Sequence, residues 1–464
     1  MISQSKIANS IPEFIKETQR KIQQNSGQLV VYGETLCDIH FGLSLIHFEL
    51  VTSLDKEKIV ELLGINVPEG YSIPDELRLY YSRGNYHLVT FDFVPDTADE
   101  KRIIEICCGV DDIRGYTLSK LLPIEQIIWD FSDIHCPEEA QAIIEGSKLT
   151  LTEENRARVS ANIPYLMKYV RLSVKYQLDI ADVIKPSIEK KSWRRFPESH
   201  LWKREFIRLL ELPEPSRAFE ILREWNILPH FFSELLEGYG VIQNEFHEYD
   251  VYYHSLSACD AASPDDPIIR MSALFHDIGK PRSKRQVSVG DDELSKNVFY
   301  DHENIGARMT YQILKKFGFH HSTVTKVSKL VRLHMFHYTS EWTDSAVRRL
   351  IRKANKDLPD LFRLRAADRL GSGKKDGESR AIQRLERRIM QIQEEENRVT
   401  VKNLAINGND LMSHFELTPG PIIGKVLNHL LEIIIRNPEQ NSPDSLMKHA
   451  VLFLEKTSLI NKAS

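Results

Sequence analysis

Residues 46–64, IHFELVTSLDKEKIVELLG, contain a change of period that decides the fold of the N-terminal part. The first half largely alternates apolar and polar side chains, which predicts a β-strand. The second half spaces its apolar residues along one helical face and ends on Gly64, as helices often do. The segments QLVVYG, LRLYYS and YHLVTFDFV are strand-like as well. Residues 28–122 are therefore predicted to form an α+β module.

Composition and charge are those of an ordinary globular protein. The chain has 464 residues and a net charge of −5, so RNA contact would have to come from a local basic patch. The five cysteines form no CxxC pair, which favours reduced thiols in a cytoplasm. The N-terminus carries no apolar signal segment, and no apolar run approaches the roughly 18 residues of a membrane helix. We therefore expect a cytoplasmic protein with no membrane contact.

From about residue 141 onwards the helical period dominates. In ANIPYLMKYVRLSVKYQL and WKREFIRLLEL, apolar residues recur at positions i, i+3, i+4 and i+7. Loop signals rich in proline and glycine, such as LPEPS, GSGKKDG and LTPGPIIG, separate these segments. The sequence thus predicts an α+β fold, with a small mixed-sheet head followed by a mainly α-helical body and tail.

The strongest chemical signal lies between residues 247 and 368, where histidines and aspartates fall within or at the ends of predicted helices. Imidazole and carboxylate together suit Mn, Ni, Fe or Zn, and Mg where carboxylate and water dominate. Side by side in an apolar setting they are costly unless paired or bound to metal. For any single histidine, the alternative is an ordinary hydrogen-bonded core residue. The candidate ligands of one or two divalent ions are His254, His276, Asp277, His302, His334 and Asp368.

These residues lie in segments that resemble a known family. QNEFHEYDVYYHSL, MSALFHDIGKP, HENIGARM and AADRLG are similar to the HD domain of bacterial CCA-adding tRNA nucleotidyltransferases and their poly(A) polymerase relatives. LAINGNDLM and PGPIIGKVLNHLLEII resemble the C-terminal segment of that family. The resemblance implies a nucleotidyltransferase-like head (1–140), a helical neck and body (141–240), an HD-domain helical bundle (241–372) and a helical tail (373–464).

The head departs from the family's motifs. The phosphate-holding GGxVRD turn matches GETLCD, in which Gly33 and Asp38 are kept but Glu34 and Cys37 replace a glycine and the arginine. The catalytic strand DxDIATS matches HFELVTS, so that His47 and Glu49 stand in place of two aspartates. Imidazole is a poor ligand of Mg²⁺, which prefers hard oxygens.

Further head motifs are also changed. A third acidic position is predicted at His87, RRDxxxNA keeps only Arg114, and EDxxR falls on Ala161, Asn162 and Tyr165. We therefore expect the polymerase site to be inactive. The alternative for His47 and His87 is an ordinary place on a half-exposed sheet, or ligation of a softer metal.

Three functions compete on this evidence. The first is a metal-dependent HD-type phosphohydrolase or phosphodiesterase acting on nucleotide or RNA-terminal phosphate esters, with Asp277 and Lys280 as catalytic residues. The second is a functional CCA-adding tRNA nucleotidyltransferase with a divergent head. The third is a non-catalytic tRNA-binding protein. Basic patches that could touch RNA phosphate are residues 345–356 and the group Lys190, Lys191, Arg194 and Arg195, where Trp193 and Phe196 could stack on bases. The first is the leading prediction.

Overall fold

The fold is seen in a computed structural model that describes most of the chain. The described residues are 2–63, 81–83, 86–93, 102–180, 184, 199–243, 248–288, 295–336, 338–339, 341–373, 380–398 and 401–456. Within these ranges, no helix is both long and apolar enough to cross a membrane.

The N-terminal part is an α+β unit, as predicted. Its elements are α1 (Gln4–Ser10), α2 (Glu13–Gln24), β1 (Leu29–Tyr32), α3 (Glu34–Phe41), β2 (His47–Thr52), α4 (Lys56–Leu62), β3 (Tyr81–Arg83), β4 (Tyr86–Phe93), β5 (Arg102–Cys108), α5 (Ile113–Leu118), β6 (Ile128–Trp129) and β7 (Ile134–His135). The described strands form one mixed sheet in the order β3-β4-β5-β2-β1-β6-β7. Strands β2 and β5 are parallel, whereas the other neighbours pair antiparallel.

Helices dominate the rest of the chain. The next elements are α6 (Glu138–Gly146), β8 (Lys148–Leu149), α7 (Glu153–Ser160), α8 (Ile163–Tyr176), β9 (Asp179–Ile180), α9 (Ser199–Leu210), α10 (Pro215–Glu224) and α11 (Pro229–Leu236). They are followed by α12 (Val251–Ala261), α13 (Pro267–Phe275), α14 (Lys280–Ser283), β10 (Lys284–Ser288), β11 (Ser295–Phe299), α15 (His302–Lys316), α16 (His321–Leu333), α17 (Asp344–Ala354) and α18 (Leu358–Gly371). The last helices are α19 (Arg380–Arg398), α20 (Gly408–Phe415), α21 (Pro421–Arg436) and α22 (Pro443–Lys456).

Local sequence explains where several helices begin. The side chains of Asp55, Asn162, Asp250 and Asp266 accept hydrogen bonds from backbone amides at the starts of α4, α8, α12 and α13. Such caps satisfy amides that have no partner within the helix. The β10–β11 hairpin was not predicted, because its alternating polar segments give only a weak strand signal inside a helical region.

The apolar core joins the head to the helices. One continuous cluster of buried side chains runs from α1 through the sheet and α8–α11 to α16. A second cluster lies among α12, α13, α17, α18 and α19, and a third holds the C-terminal helices together. The first cluster packs α8 and α9 closely against the sheet, and this packing places their polar side chains at the head site described below.

Candidate functional sites

All six predicted metal ligands converge in the helical part of the chain. They come from α12, the ends of α13 and α16, the start of α15, and α18. His254 Nε2 lies 3.1 Å from both His276 Nε2 and Asp368 Oδ1. His276 Nε2 lies 3.1 Å from Asp277 Oδ2. The side-chain donors fall into two neighbouring triads, in each of which they lie within 4.8 Å of one another: His254, His276 and Asp368, and then Asp277, His302 and His334.

In all four histidine rings Nδ1 contacts a backbone carbonyl oxygen. In three of them Nδ1 contacts the carbonyl oxygen three residues earlier, at 2.7 Å for His276, 2.7 Å for His302 and 2.6 Å for His334. The fourth, His254, contacts the carbonyl of Gly371 at 3.2 Å. An Nδ1–H donated to a carbonyl leaves Nε2 with a free lone pair and is the usual arrangement of metal-ligating histidines. Each Nε2 therefore faces the cluster as a potential ligand.

Three buried atoms of the second triad lack a hydrogen-bond partner. These are Asp277 Oδ1, His302 Nε2 and His334 Nε2, with the two ring nitrogens 3.4 Å and 3.5 Å from the oxygen. Buried polar atoms are rarely left unsatisfied, because the lost hydration costs about 1–3 kcal/mol per group. A divalent ion would satisfy all three atoms at once, so the donor set fits a metal.

Asp277 is also the partner of Lys280, the other predicted catalytic residue. Lys280 is buried, and its Nζ contacts Asp277 Oδ2 at 2.5 Å and Gln243 Oε1 at 2.6 Å. Burial alone would raise the pKa of Asp277, but His276 and Lys280 outweigh it and hold this pKa well below its ordinary value. The carboxylate is therefore ionised, which is the state needed for ligation.

Close backbone contacts bring the helices of this cluster together. A Cβ added to Gly371 would lie 2.4 Å from the amide nitrogen of Ala258, and one added to Gly279 would lie 2.2 Å from the carbonyl oxygen of His302. The first glycine allows α18 to approach α12, and the second allows the start of α14 to approach α15. Side chains at these two positions would separate the ligand-bearing elements.

In the head, a carboxylate pair lies on adjacent parallel strands. Glu49 of β2 is directly opposite Glu105 of β5 in the register of the sheet, and both side chains are buried. The prediction that His87 supplies the third acidic position is wrong, because β5 separates its strand, β4, from β2. Sequence analysis missed Glu105, since only the pairing of strands distant in sequence identifies it.

The turn that precedes α3 is filled by the protein itself. Gly33 has a φ of 64°, and a Cβ there would lie 2.6 Å from Glu49 Oε2. The backbone amide of Glu34 donates to the same oxygen at 3.0 Å. A carboxylate of the chain thus takes the place that a bound anion would need at this turn.

Basic side chains of α8 and α9 neutralise these head carboxylates. Arg208 bridges the strand pair, with Nη1 3.0 Å from Glu49 Oε1 and Nη2 2.9 Å from Glu105 Oε2. Arg204 Nη2 lies 2.8 Å from the same Glu49 oxygen. Arg171 forms a two-pronged pair with Glu34 at 2.7 Å and 2.7 Å. The sequence signal of this network is the presence of charged residues at core-facing positions of otherwise apolar helices.

The other predicted head positions are also occupied or exposed. His47 Nε2 lies 2.7 Å from Glu211 Oε2, and Asp38 is held by Lys175 and by the Tyr176 hydroxyl at 2.7 Å. Arg114 is exposed on α5. Burial alone would raise the pKa of Glu49, but Lys168 and Arg208 outweigh it and lower this pKa to about 2. The head site is therefore a closed network of ion pairs.

The predicted RNA-contacting residues are only partly visible. Lys190, Lys191, Arg194 and Arg195, together with Trp193 and Phe196, lie outside the described residues. The second basic patch falls mainly on α17, where Arg349, Arg352 and Lys353 are exposed. Asn162, one of the EDxxR positions, caps α8.

Comparison with known proteins finds relatives that match part of the chain. Residues 298–450 match the family model described as tRNA nucleotidyltransferase domain 2. The chain is 30% identical to the A-adding tRNA nucleotidyltransferase of Deinococcus radiodurans over 245 residues, which are 51% of this chain and 54% of the relative. The chain is thus similar to tRNA nucleotidyltransferases over about half of its length. It is also 31% identical to the CC-adding tRNA nucleotidyltransferase of Thermus thermophilus over 235 residues, 50% of this chain and 51% of that relative.

The chain spans about half the length of the curated relatives of this family that it matches. Among solved structures, the Bacillus stearothermophilus CCA-adding enzyme in complex with CTP aligns over 97% of this chain and 98% of its own, at 14% identity and a TM-score of 0.49.

These relatives overturn the leading functional prediction. Hydrolysis of phosphate esters as the main function is wrong, because the two curated relatives that match about half of the chain are named as A-adding and CC-adding tRNA nucleotidyltransferases. A compact histidine–aspartate motif and four changed head motifs had favoured hydrolysis over nucleotidyl transfer. A metal-ligand motif shows which side chains can bind a metal, but it does not show which reaction the protein catalyses, because one fold can support many reactions.

Proposed function

We propose that the protein is a tRNA nucleotidyltransferase that acts at the 3′ end of tRNA and uses a nucleoside triphosphate. The proposal draws on the family and on the names of the curated relatives. The single structural observation that carries it is the in-register pair of Glu49 and Glu105 on parallel strands. Paired carboxylate oxygens are the ligands that Mg²⁺ prefers, and such an ion would neutralise charge on the triphosphate.

In this proposal, side chains of the protein position the ion and the triphosphate and balance their charges. Glu49 and Glu105 would hold the ion, and the turn at Gly33 would orient the phosphates once Glu49 leaves its hydrogen bond with the Glu34 amide. Transfer would also require Arg204 and Arg208 to release the two carboxylates. In the released state the same arginines would lie near a triphosphate whose charge they complement.

The second candidate is tRNA binding without transfer. The observation that favours it is the ionic network, in which Arg208 contacts both carboxylates at 2.9–3.0 Å while His47 is engaged by Glu211. Buried arginine–carboxylate pairs of this geometry are costly to separate, by about 3–5 kcal/mol when one partner is removed. The remaining function would then be recognition of tRNA by basic residues, with Lys190, Lys191, Arg194 and Arg195 proposed as phosphate contacts.

Incorporation of labelled CTP and ATP into tRNA lacking its 3′ CCA separates the two candidates. We expect incorporation by the wild-type protein that is lost in Glu105→Gln, while tRNA affinity, measured by fluorescence anisotropy, stays unchanged. Salt-dependent tRNA binding with no incorporation would support the second candidate. Absence of both would refute both. Glu61→Gln, on the exposed face of α4, is the matched control.

We also propose that the histidine–aspartate cluster binds one or two divalent ions, and three unpartnered buried atoms support this proposal. Bound there, an ion would attract and neutralise phosphate. Metal content of the purified protein, measured by mass spectrometry, should fall in Asp277→Asn and His302→Gln but not in the exposed control Asp344→Asn. Equal metal content in all four proteins would refute the site.

A further inference from the structure

A cavity of about 1220 Å³ opens at the histidine–aspartate cluster. Its floor includes Asp277, His302 and His334, with Lys280 beside them. Its walls come from α18, from α19 and from the segments around β11 and the end of α16. The floor is therefore polar and charged, while α19 and β11 add walls from elements that supply none of the six candidate ligands.

The rim of this cavity is unusually apolar. Tyr300, Met335, Leu370 and Met390 line it and are exposed by 67%, 57%, 46% and 67%. Single exposed apolar residues are common, but several around one opening typically mark a binding site. They come from four separate elements, so no single amphipathic helix accounts for them. This rim suits a ligand with flat apolar faces.

The charge and the aromatic content of the lining point to a nucleic acid. Five cations face three carboxylates in the lining, and three of the cations already form ion pairs: Lys280 with Asp277, Arg365 with Asp368, and Arg363 with Asp266 and Asp360 outside the lining. The excess of positive charge that favours an anion is therefore modest. Five aromatic rings stand in the same lining, and aromatic rings stack on bases of any sequence. The cations are Lys280, Lys356, Arg363, Arg365 and Arg369, the carboxylates are Asp277, Asp368 and Glu386, and the rings are Phe299, Tyr300, Phe336, Tyr338 and Phe362.

The volume indicates how much of the nucleic acid fits. Pockets for ligands of drug size, comparable to one nucleotide, occupy about 300–1,000 Å³. A cavity of about 1220 Å³ exceeds this range. It has room for more than one nucleotide but has too little volume for the paired strands of a duplex.

We infer that this cavity binds the single-stranded end of an RNA, with a backbone phosphate on the polar floor and about two to three bases against the rim. The inference rests on the proposed action on tRNA and adds a second place, apart from the head site, where a single-stranded end binds. It concerns binding alone. The ligand chemistry is that of nucleoside phosphates, and the experiment separates a free nucleotide from an RNA end.

Fluorescence anisotropy of the full-length protein with a labelled RNA trinucleotide tests the inference. Met390→Glu places a negative charge on the rim, and Tyr300→Ala removes an aromatic face. Each should weaken trinucleotide binding about tenfold, the equivalent of one stacked base. Leu452→Glu, an equally drastic change at an exposed position of α22, should leave binding unchanged.

Three outcomes would overturn the inference. Trinucleotide binding that is unaffected by both rim variants, with intact tRNA still bound, would refute the cavity and leave the proposed function standing. Competition by adenosine monophosphate as strong as that by unlabelled trinucleotide would assign the cavity to a free nucleotide. Failure to bind either tRNA or trinucleotide would refute the cavity and the proposed function together.

Discussion

The guanidinium of Arg171 and the carboxylate of Glu34 form a two-pronged ion pair, with 2.7 Å for each of the two nitrogen–oxygen distances. Both side chains are almost completely buried, and the two residues are 137 positions apart in the chain. Glu34 stands where the family's turn motif has a second glycine. The pair therefore links a changed head motif directly to a helix of the body.

Glu34→Gln should destabilise the protein strongly. Its loss of charge leaves Arg171 with Glu205 as its remaining carboxylate partner and weakens the contact with Arg208, at a cost of about 3–5 kcal/mol in the free energy of unfolding. Urea denaturation measures this change. The control Glu61→Gln breaks only an exposed pair with Lys58, which contributes about 0–1 kcal/mol. A loss in Glu34→Gln no larger than that in the control would show that the pair contributes little.

Acid should destabilise the head through Glu49 and Glu34. Lys168 and Arg208 outweigh the effect of burial and lower the pKa of Glu49 from 4.5 to about 2, and the pKa of Glu34 is also held well below its ordinary value. Because the unfolded state takes up these protons first, the stabilisation is complete above about pH 4.5 and is lost as pH falls towards 2. Asp38 works in the opposite direction, since burial raises its pKa.

Urea denaturation from about pH 7 down to about pH 3 checks this dependence. In Glu49→Gln, the free energy of unfolding at neutral pH should be lower than in the wild type. It should also change less with pH, because one of the titrating groups is gone. A wild-type stability that stays constant below pH 4.5, or the same slope in the variant, would contradict the assignment.

Gly371→Ala should weaken both the fold and metal binding. The added methyl group would lie 2.4 Å from the amide nitrogen and 2.5 Å from the Cα of Ala258, so α18 must move away from α12. Overpacking of this kind costs about 1–3 kcal/mol, and it separates His254 from Asp368. Gly424→Ala is the matched control, because nothing lies within 4 Å of its added Cβ. There we expect the stability to rise by about 0.5–1 kcal/mol, since alanine favours a helix interior. Equal effects in the two variants would contradict the close packing at Gly371.

Removal of divalent metal should lower the melting temperature. An ion that binds only the folded chain adds about 2.7 kcal/mol of stability at 100 times its dissociation constant. Treatment with a chelator should therefore lower the Tm in the wild type, and Mn²⁺ should restore it. Asp277→Asn should respond to neither. If neither treatment changes the Tm of the wild type, the cluster is a structural set of hydrogen-bonded histidines and does not bind metal.

The sequence by itself determined what depends on neighbours along the chain. The period of IHFELVT gives β2, the capping side chains of Asp55 and Asn162 start their helices, and the helical spacing of WKREFIRLLEL gives α9. The six candidate ligands were also predicted, because HDIGK and its companion segments are compact motifs. Such features are readable because helix and strand periods and capping hydrogen bonds join residues only a few positions apart.

Tertiary structure alone decided which distant side chains meet. The parallel pairing of β2 with β5 makes Glu105, and not His87, the partner of Glu49. The packing of α8 and α9 on the sheet turns Arg171 and Arg208 towards carboxylates 103–174 positions away, and so closes the head site. The sequence does not show which residue a charged side chain will pair with. The strength of an ion pair depends on the distance between the two groups and on their burial, and only the folded chain fixes both.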